Sequence, residues 1–147
     1  MKSSTINQFD IYGVDASRYK FVMGDLFDPT TIPKADVYIL RNTLHCYNDR
    51  NVIAILSAIR EACITHGKKN AVIFIGEHFI LPPDVNQSNW KAHALDFILA
   101  LGIGGGERTL DKYKQILQQS GLKFVKFYHT NNSMVSILEA SINNVGP

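Results

Sequence analysis

Cysteine is scarce in this chain of 147 residues: Cys46 and Cys63 are its only two. They show neither the spacing of metal ligands nor the density of a secreted disulfide scaffold. No metal site is therefore expected, and a reducing, cytoplasmic setting is. Charge of one sign is also lacking. The formal net charge is +2, with Lys and Arg scattered, which argues against a nucleic-acid surface. The one basic pair, Lys68-Lys69, reads as a solvated turn between a helix and a strand. No apolar run approaches the ~18 residues that a membrane span needs. Met1-Lys2-Ser3-Ser4 opens the sequence without a signal-peptide apolar block. Also missing, before Ile6, is the strand, glycine-rich turn and helix with which a nucleotide-binding α/β domain normally opens.

What is present suits one domain, residues 1–147, with a real core: 46% of the residues are hydrophobic. Residues 6–11 can form a short strand with Asp10 near its end, and residues 19–23 a second, followed by Gly24-Asp25-Leu26-Phe27. Pro29 and Pro33 break the chain before residues 37–40, an almost wholly apolar run expected to be a central strand buried on both faces. Val52, Ile55, Leu56, Ile59 and Cys63 then follow helical spacing over about 50–65, with Asn48 or Asp49 as N-cap and Gly67 as the stop. Residues 71–76 form the strongest buried strand candidate, with Glu77 at its carboxyl end. Trp90, Ala94, Phe97, Ile98 and Leu101 predict a helix over 90–101. The glycine cluster that follows would need a preceding strand to be a phosphate loop, and the expected predecessor is a helix. Thr109 caps a further helix carrying Leu110, Tyr113, Ile116 and Leu117, and Gly121 ends it. Residues 122–128 and 134–138 read as two strands joined by Asn131-Asn132-Ser133 and pairing antiparallel. The order implies an α/β fold whose sheet is mostly parallel with an antiparallel carboxyl-terminal edge.

Ligands of open α/β sheets bind at the carboxyl ends of the strands. Asp10, Asp25, Arg41 with His45, and Glu77 each fall just past an expected strand. A carboxylate such as Asp10 can accept from both hydroxyls of a ribose, Asp25 from a purine amine, and Arg41 can pair with a carboxylate. Tyr47 offers a flat face for a base. His45 can accept a proton near neutral pH, with its other nitrogen held by Glu77 or Glu107. Each has a plainer reading as well: turn formers for Asp10 and Asp25, packing for Tyr47, loop filling for His45, structural carboxylates for Glu77 and Glu107.

Gly24-Asp25-Leu26-Phe27, the run from Ile39 to Tyr47, Glu77 with Ile80-Leu81-Pro82, and Gly105-Gly106-Glu107-Arg108-Thr109 occur in one order and approximate spacing. In this the chain resembles the S-adenosylmethionine-dependent O-methyltransferases of the plant caffeate and animal acetylserotonin type, from about Ile6 to Glu139. Phe9-Asp10 is similar to that family's Phe-Asp-Leu-Pro segment. The resemblance implies a Rossmann-like class I sheet and a methyl transfer from S-adenosylmethionine to a hydroxyl of a small, aromatic acceptor. It implies Asp10 on the cofactor's ribose, Asp25 and Leu26 at its adenine, and Arg41 and Tyr47 as further cofactor contacts. It also implies His45 as the base, oriented by Glu77 and Glu107. Cys46-Tyr47 stands where the family carries Asp-Trp. Counterparts of the first strand and glycine-rich loop, and of the amino-terminal domain that forms the family's homodimer, are missing from the sequence. The alternative expectation is therefore a non-catalytic fragment that acts as a binding or pairing module.

Overall fold

The computed structural model describes residues 11–80, 90–130 and 135–142, with backbone alone for 90–92. Its main sheet holds β1 (Val37–Arg41), β2 (Val72–Glu77), β5 (Leu122–Tyr128) and β6 (Ser136–Ile142), in the order β1-β2-β6-β5. β1 and β2 run parallel, joined through helix α1 (Asp49–Thr65); β2–β6 and β6–β5 are antiparallel. Two short parallel strands, β3 (Phe79–Ile80) and β4 (Arg108–Thr109), flank α2 (Trp90–Ile103), and α3 (Leu110–Gln119) follows. This is the expected α/β class, a mixed sheet with an antiparallel closing edge.

The helices form where the apolar spacing places them. In α1, Val52, Ile55, Leu56, Ile59 and Cys63 are all buried, Asn48 Oδ1 accepts from the Asn51 N–H at 3.0 Å, and Gly67 adopts φ 69° just beyond the end. In α3, Thr109 Oγ1 accepts from the Lys112 N–H at 3.2 Å, and Tyr113, Ile116 and Leu117 are buried. Both helices share one apolar core with Leu40, Ile73, Ile75, Leu138 and Ala140 of the sheet. Each buried Leu or Ile among them contributes about 1.5–3 kcal/mol by leaving water. Among the described residues, no helix is long and apolar enough to cross a membrane.

Some expectations change. β1 is an edge strand rather than a central one buried on both faces. Leu40 is buried, but Val37 and Ile39 are 46% and 72% exposed. Among the described residues only β2 pairs with it, and its second face looks away from the core shared with α1. Residues 19–23 form no strand: Phe21, Val22 and Met23 stand 71%, 52% and 98% exposed and belong to neither sheet. Ile11 is helical, and the rest of the strand expected over 6–11, Asp10 included, lies outside the described residues, as does the turn at 131–133. β6 continues to Ile142 because its alternation of buried residues (Ser136, Leu138, Ala140, Ile142) continues. The apolar spacing in α2 does not mark a core-facing stripe: Phe97, Ile98 and Leu101 are 65%, 62% and 74% exposed.

Candidate active site

The chain leaves β1 through Asn42, whose φ of 48° lies in the left-handed region that asparagine tolerates. Its N–H donates to Gly76 O at 3.0 Å, which keeps the turn against the end of β2. A 3₁₀ turn, Leu44–Cys46, follows, anchored by the fully buried Leu44. Because Arg41 pairs in register with Gly76, Glu77 arrives beside this turn. Its Oε1 accepts the N–H groups of Thr43 at 3.0 Å and Leu44 at 2.8 Å. A carboxylate thus satisfies the free donors at the start of the turn that carries His45.

The second acid comes from the loop between α2 and β4. Gly106 N–H donates to His45 O at 2.9 Å, and Glu107 N–H to Asp96 Oδ1 at 2.8 Å. Gly105 has to be glycine, since a Cβ there would sit 2.1 Å from His45 O. The loop so placed brings Glu107 Oε1 to 2.9 Å from His45 Nδ1, while Glu77 Oε2 lies at 3.4 Å.

His45 is 12% exposed at its side chain, and both carboxylates are buried. Burial pushes the Glu77 carboxyl above its usual range, although donors from Thr43 and Leu44 and the His45 charge oppose it. Burial likewise raises Glu107, against the hydrogen bond from His45. Burial, then the His45 charge, lowers His78, whose ring lies 6.4 Å from that of His45. Glu77 Oε2 and Glu107 Oε2 have no hydrogen-bond partner among the described residues. A proton on Nδ1 is donated to the Glu107 carboxylate, and Nε2 of a ring so protonated is left as an acceptor. The donor atoms of the three residues lie within 4.8 Å of one another, which a cation can also bridge. At 2.9 Å, however, the His45–Glu107 pair has the length of a charge-assisted hydrogen bond.

The residues expected to contact the cofactor separate into two groups. Asp25 and Leu26 line a cavity of about 250 Å³ beside Tyr38 and Leu40. Asp25 Oδ1 accepts from the Phe27 N–H at 2.9 Å, its carboxyl is exposed, and the Phe27 and Tyr47 rings meet edge to face at 5.7 Å. Asp25 on the lining of this recess, with the two rings nearby, makes a set of residues that could hold a flat heteroaromatic ring. Arg41 is not brought to it. It lines another cavity, of about 540 Å³, with Phe74 and Ile137, and Ile39 lines both cavities.

The sequence reading assigned no role to Arg108, Asp96 or Gly105. Asp96 left one signal, a lone acid inside the apolar run of α2; Arg108 stood within the Gly105–Thr109 run that carries the resemblance, but nothing there gave it a role, because its partners are carbonyls distant in sequence.

The chain matches the O-methyltransferase domain family over residues 7–123. It is 28% identical over 135 residues to O-methyltransferase 10 of Dictyostelium discoideum, covering 88% of this chain and 30% of that protein. To desmethylxanthohumol 6'-O-methyltransferase of Humulus lupulus it is 35% identical over 106 residues, 71% of this chain and 29% of that one. Among solved structures, mitomycin 7-O-methyltransferase MmcR superposes with a TM-score of 0.77 at 26% identity, covering 92% of this chain and 37% of that one. The O-methyltransferase NcsB1 superposes at 0.73 and 26% identity, over 92% of this chain and 36% of that one; it was solved with S-adenosylmethionine and 2-hydroxy-5-methyl naphthoic acid. The chain spans under a third of the length of either curated relative. Its own loops, closing a histidine between two buried carboxylates, lie within the matched segment, and the chain belongs to the O-methyltransferase domain family.

Proposed function

We propose that this chain carries the acid–base centre of an S-adenosylmethionine-dependent O-methyl transfer, with His45 as the general base and a small hydroxylated aromatic as acceptor. The observation that carries this reading is the buried Glu107–His45 pair, 2.9 Å long, with Glu77 alongside. Bound S-adenosylmethionine supplies an electrophilic sulfonium methyl. Asp25, Leu26 and Tyr47 would hold its adenosine, and we assign Asp10 to the ribose and Arg41 to a further polar contact. His45 Nε2 takes the proton of the acceptor hydroxyl. Glu107 at Nδ1 and Glu77 beside it stabilise the imidazolium that results, while Glu77 also holds the turn. General-base catalysis of this kind supplies about 10²–10⁴-fold, and positioning of the reactants much of the rest. Free Cys46 and Cys63 suit a cytoplasmic setting.

Calorimetric titration with S-adenosylhomocysteine, joined to a methyl-transfer assay, tests the reading. His45→Ala should abolish turnover and leave cofactor affinity largely intact; equal loss of both would make His45 structural. A second reading, a pairing module without catalysis, draws support from the outer edge of β1, which pairs with no strand among the described residues and leaves Val37 and Ile39 exposed. A folded chain that binds no cofactor and sediments as an assembly would favour it.

A further inference from the structure

We infer that Arg108 is the positioning residue that fixes the separation of His45 from Glu107. The two residues stand 62 positions apart in sequence, on loops linked by the Gly106 N–H to His45 O bond but by no strand ladder among the described residues. Arg108 is 6% exposed, and its donors are divided between those loops. Nη1 donates to Leu44 O at 3.3 Å, the residue before His45, and to Gly106 O at 3.1 Å, the residue before Glu107. Nη2 donates to Tyr47 O at 2.5 Å, so the guanidinium grips the His45 turn on both sides of the histidine. Nε donates to Asp49 Oδ1 at 2.8 Å in the first turn of α1. Burial works against ionised Asp49, but hydrogen bonds from Lys112 and Arg108 outweigh it and keep the carboxyl below its usual range. The guanidinium carbon lies 5.9 Å from the centre of the buried Tyr113 ring.

A guanidinium is a rigid planar fork, so sliding one loop against the other breaks a bond at Nη1 or Nη2. A lysine offers a flexible point charge and cannot span both carbonyls in that geometry. Glu107 and Arg108 are adjacent in sequence, so the group that accepts from His45 and the group that holds His45's turn move as one unit. That coupling lets a hydrogen bond between two loops keep a constant length.

The catalytic consequence rests on His45 being the base; the positioning is readable without turnover. The readout is the downfield His45 Nδ1–H resonance of the full chain, identified by its absence in His45→Ala. Arg108→Lys, shown to be folded by circular dichroism, should lose or shift this resonance. In a methyl-transfer assay kcat should fall about 100-fold, as a misplacement near 1 Å implies, with acceptor KM and S-adenosylhomocysteine affinity within about twofold. An unmoved resonance in folded Arg108→Lys overturns the proposal. Where Arg108→Lys does not fold, Asp49→Ala decides: removing the acceptor of the Nε–H should move the resonance, and an unmoved one overturns the proposal. A moved resonance together with full turnover in His45→Ala would sink the base reading and leave the positioning standing.

Discussion

Gly105→Ala tests whether the close approach of two loops makes this site. The added Cβ would lie 2.1 Å from His45 O and 3.0 Å from the Cys46 carbonyl carbon, both backbone atoms that no rotamer change can clear. To reach van der Waals distance the loops must part by about 1 Å or more. The Gly106–His45 backbone bond and the His45–Glu107 bond, both 2.9 Å, cannot absorb that opening and remain hydrogen bonds. Overpacking of this kind costs about 1–3 kcal/mol, which lowers Tm by roughly 3–10 °C for a domain of this size. Turnover should fall about 100-fold through misplacement of the base. Gly102→Ala is the control within the same glycine cluster. It is helical, a Cβ there meets nothing within 4 Å, and its φ is not positive. Alanine at that position should be neutral or stabilise by up to about 1 kcal/mol. Thermal unfolding followed by circular dichroism separates the two variants. Gly105→Ala melting at or above the wild-type temperature would refute the close-approach reasoning, whatever its activity.

Glu107→Gln should change stability in a pH-dependent way. The folded Glu107 carboxyl sits above its unfolded value near 4.3, so the native state binds more protons across that interval. Wild-type stability is therefore fullest below the unfolded value and declines as pH rises through the folded one. Each tenfold displacement of the equilibrium is worth about 1.4 kcal/mol. The glutamine variant, which has no charge to bury, should gain on wild type as the pH is raised from 4 to 8; paired denaturant titrations returning a constant or shrinking difference would contradict the assigned burial cost. Leu44→Ala removes a fully buried side chain from beneath the His45 turn and should cost about 2–5 kcal/mol in urea unfolding; a cost below about 1 kcal/mol would mean that Leu44 does not anchor the turn.

Helix periodicity was the most legible part of the fold. Val52, Ile55 and Leu56 had to share a face, and Thr109 and Asn48 had free donors to cap. Burial of β1 was not legible, because an apolar strand looks the same whether its second face is covered or open. Ile39 reads as core and stands 72% exposed. The exposure of Phe97 and Leu101 escaped for the same reason: spacing reports a shared face, not what that face meets. Glu77 stood out because a carboxylate at the end of an apolar strand demands partners, and His45 because it leaves the carboxyl end of a strand; Glu107 was a candidate partner for it. What positions them did not, since Arg108 acts on the carbonyls of Leu44, Tyr47 and Gly106, and a carbonyl is present at every residue whatever its side chain.

The two halves of the proposed chemistry rest on unlike foundations. Around His45 the supports come from within the described fold. Glu77 is fixed by the β1–β2 register, Thr43 and Leu44 by Glu77, Glu107 by Asp96, and both loops by Arg108. Such a network is already ordered before any ligand arrives, and preorganised dipoles need no rearrangement during reaction. On the adenosine side, Asp25 takes its hydrogen bonds from its own loop: Phe27 N–H reaches Oδ1, and Thr31 Oγ1 exchanges bonds with the backbone of Asp25. A carboxylate held that locally, exposed to water, spends more of its binding energy on desolvation and ordering than a buried one does. On the proposed reading, affinity for the cofactor and competence of the base are thus separable. Substitutions around Arg108 should move the second without the first, and substitutions around Asp25 the first without the second.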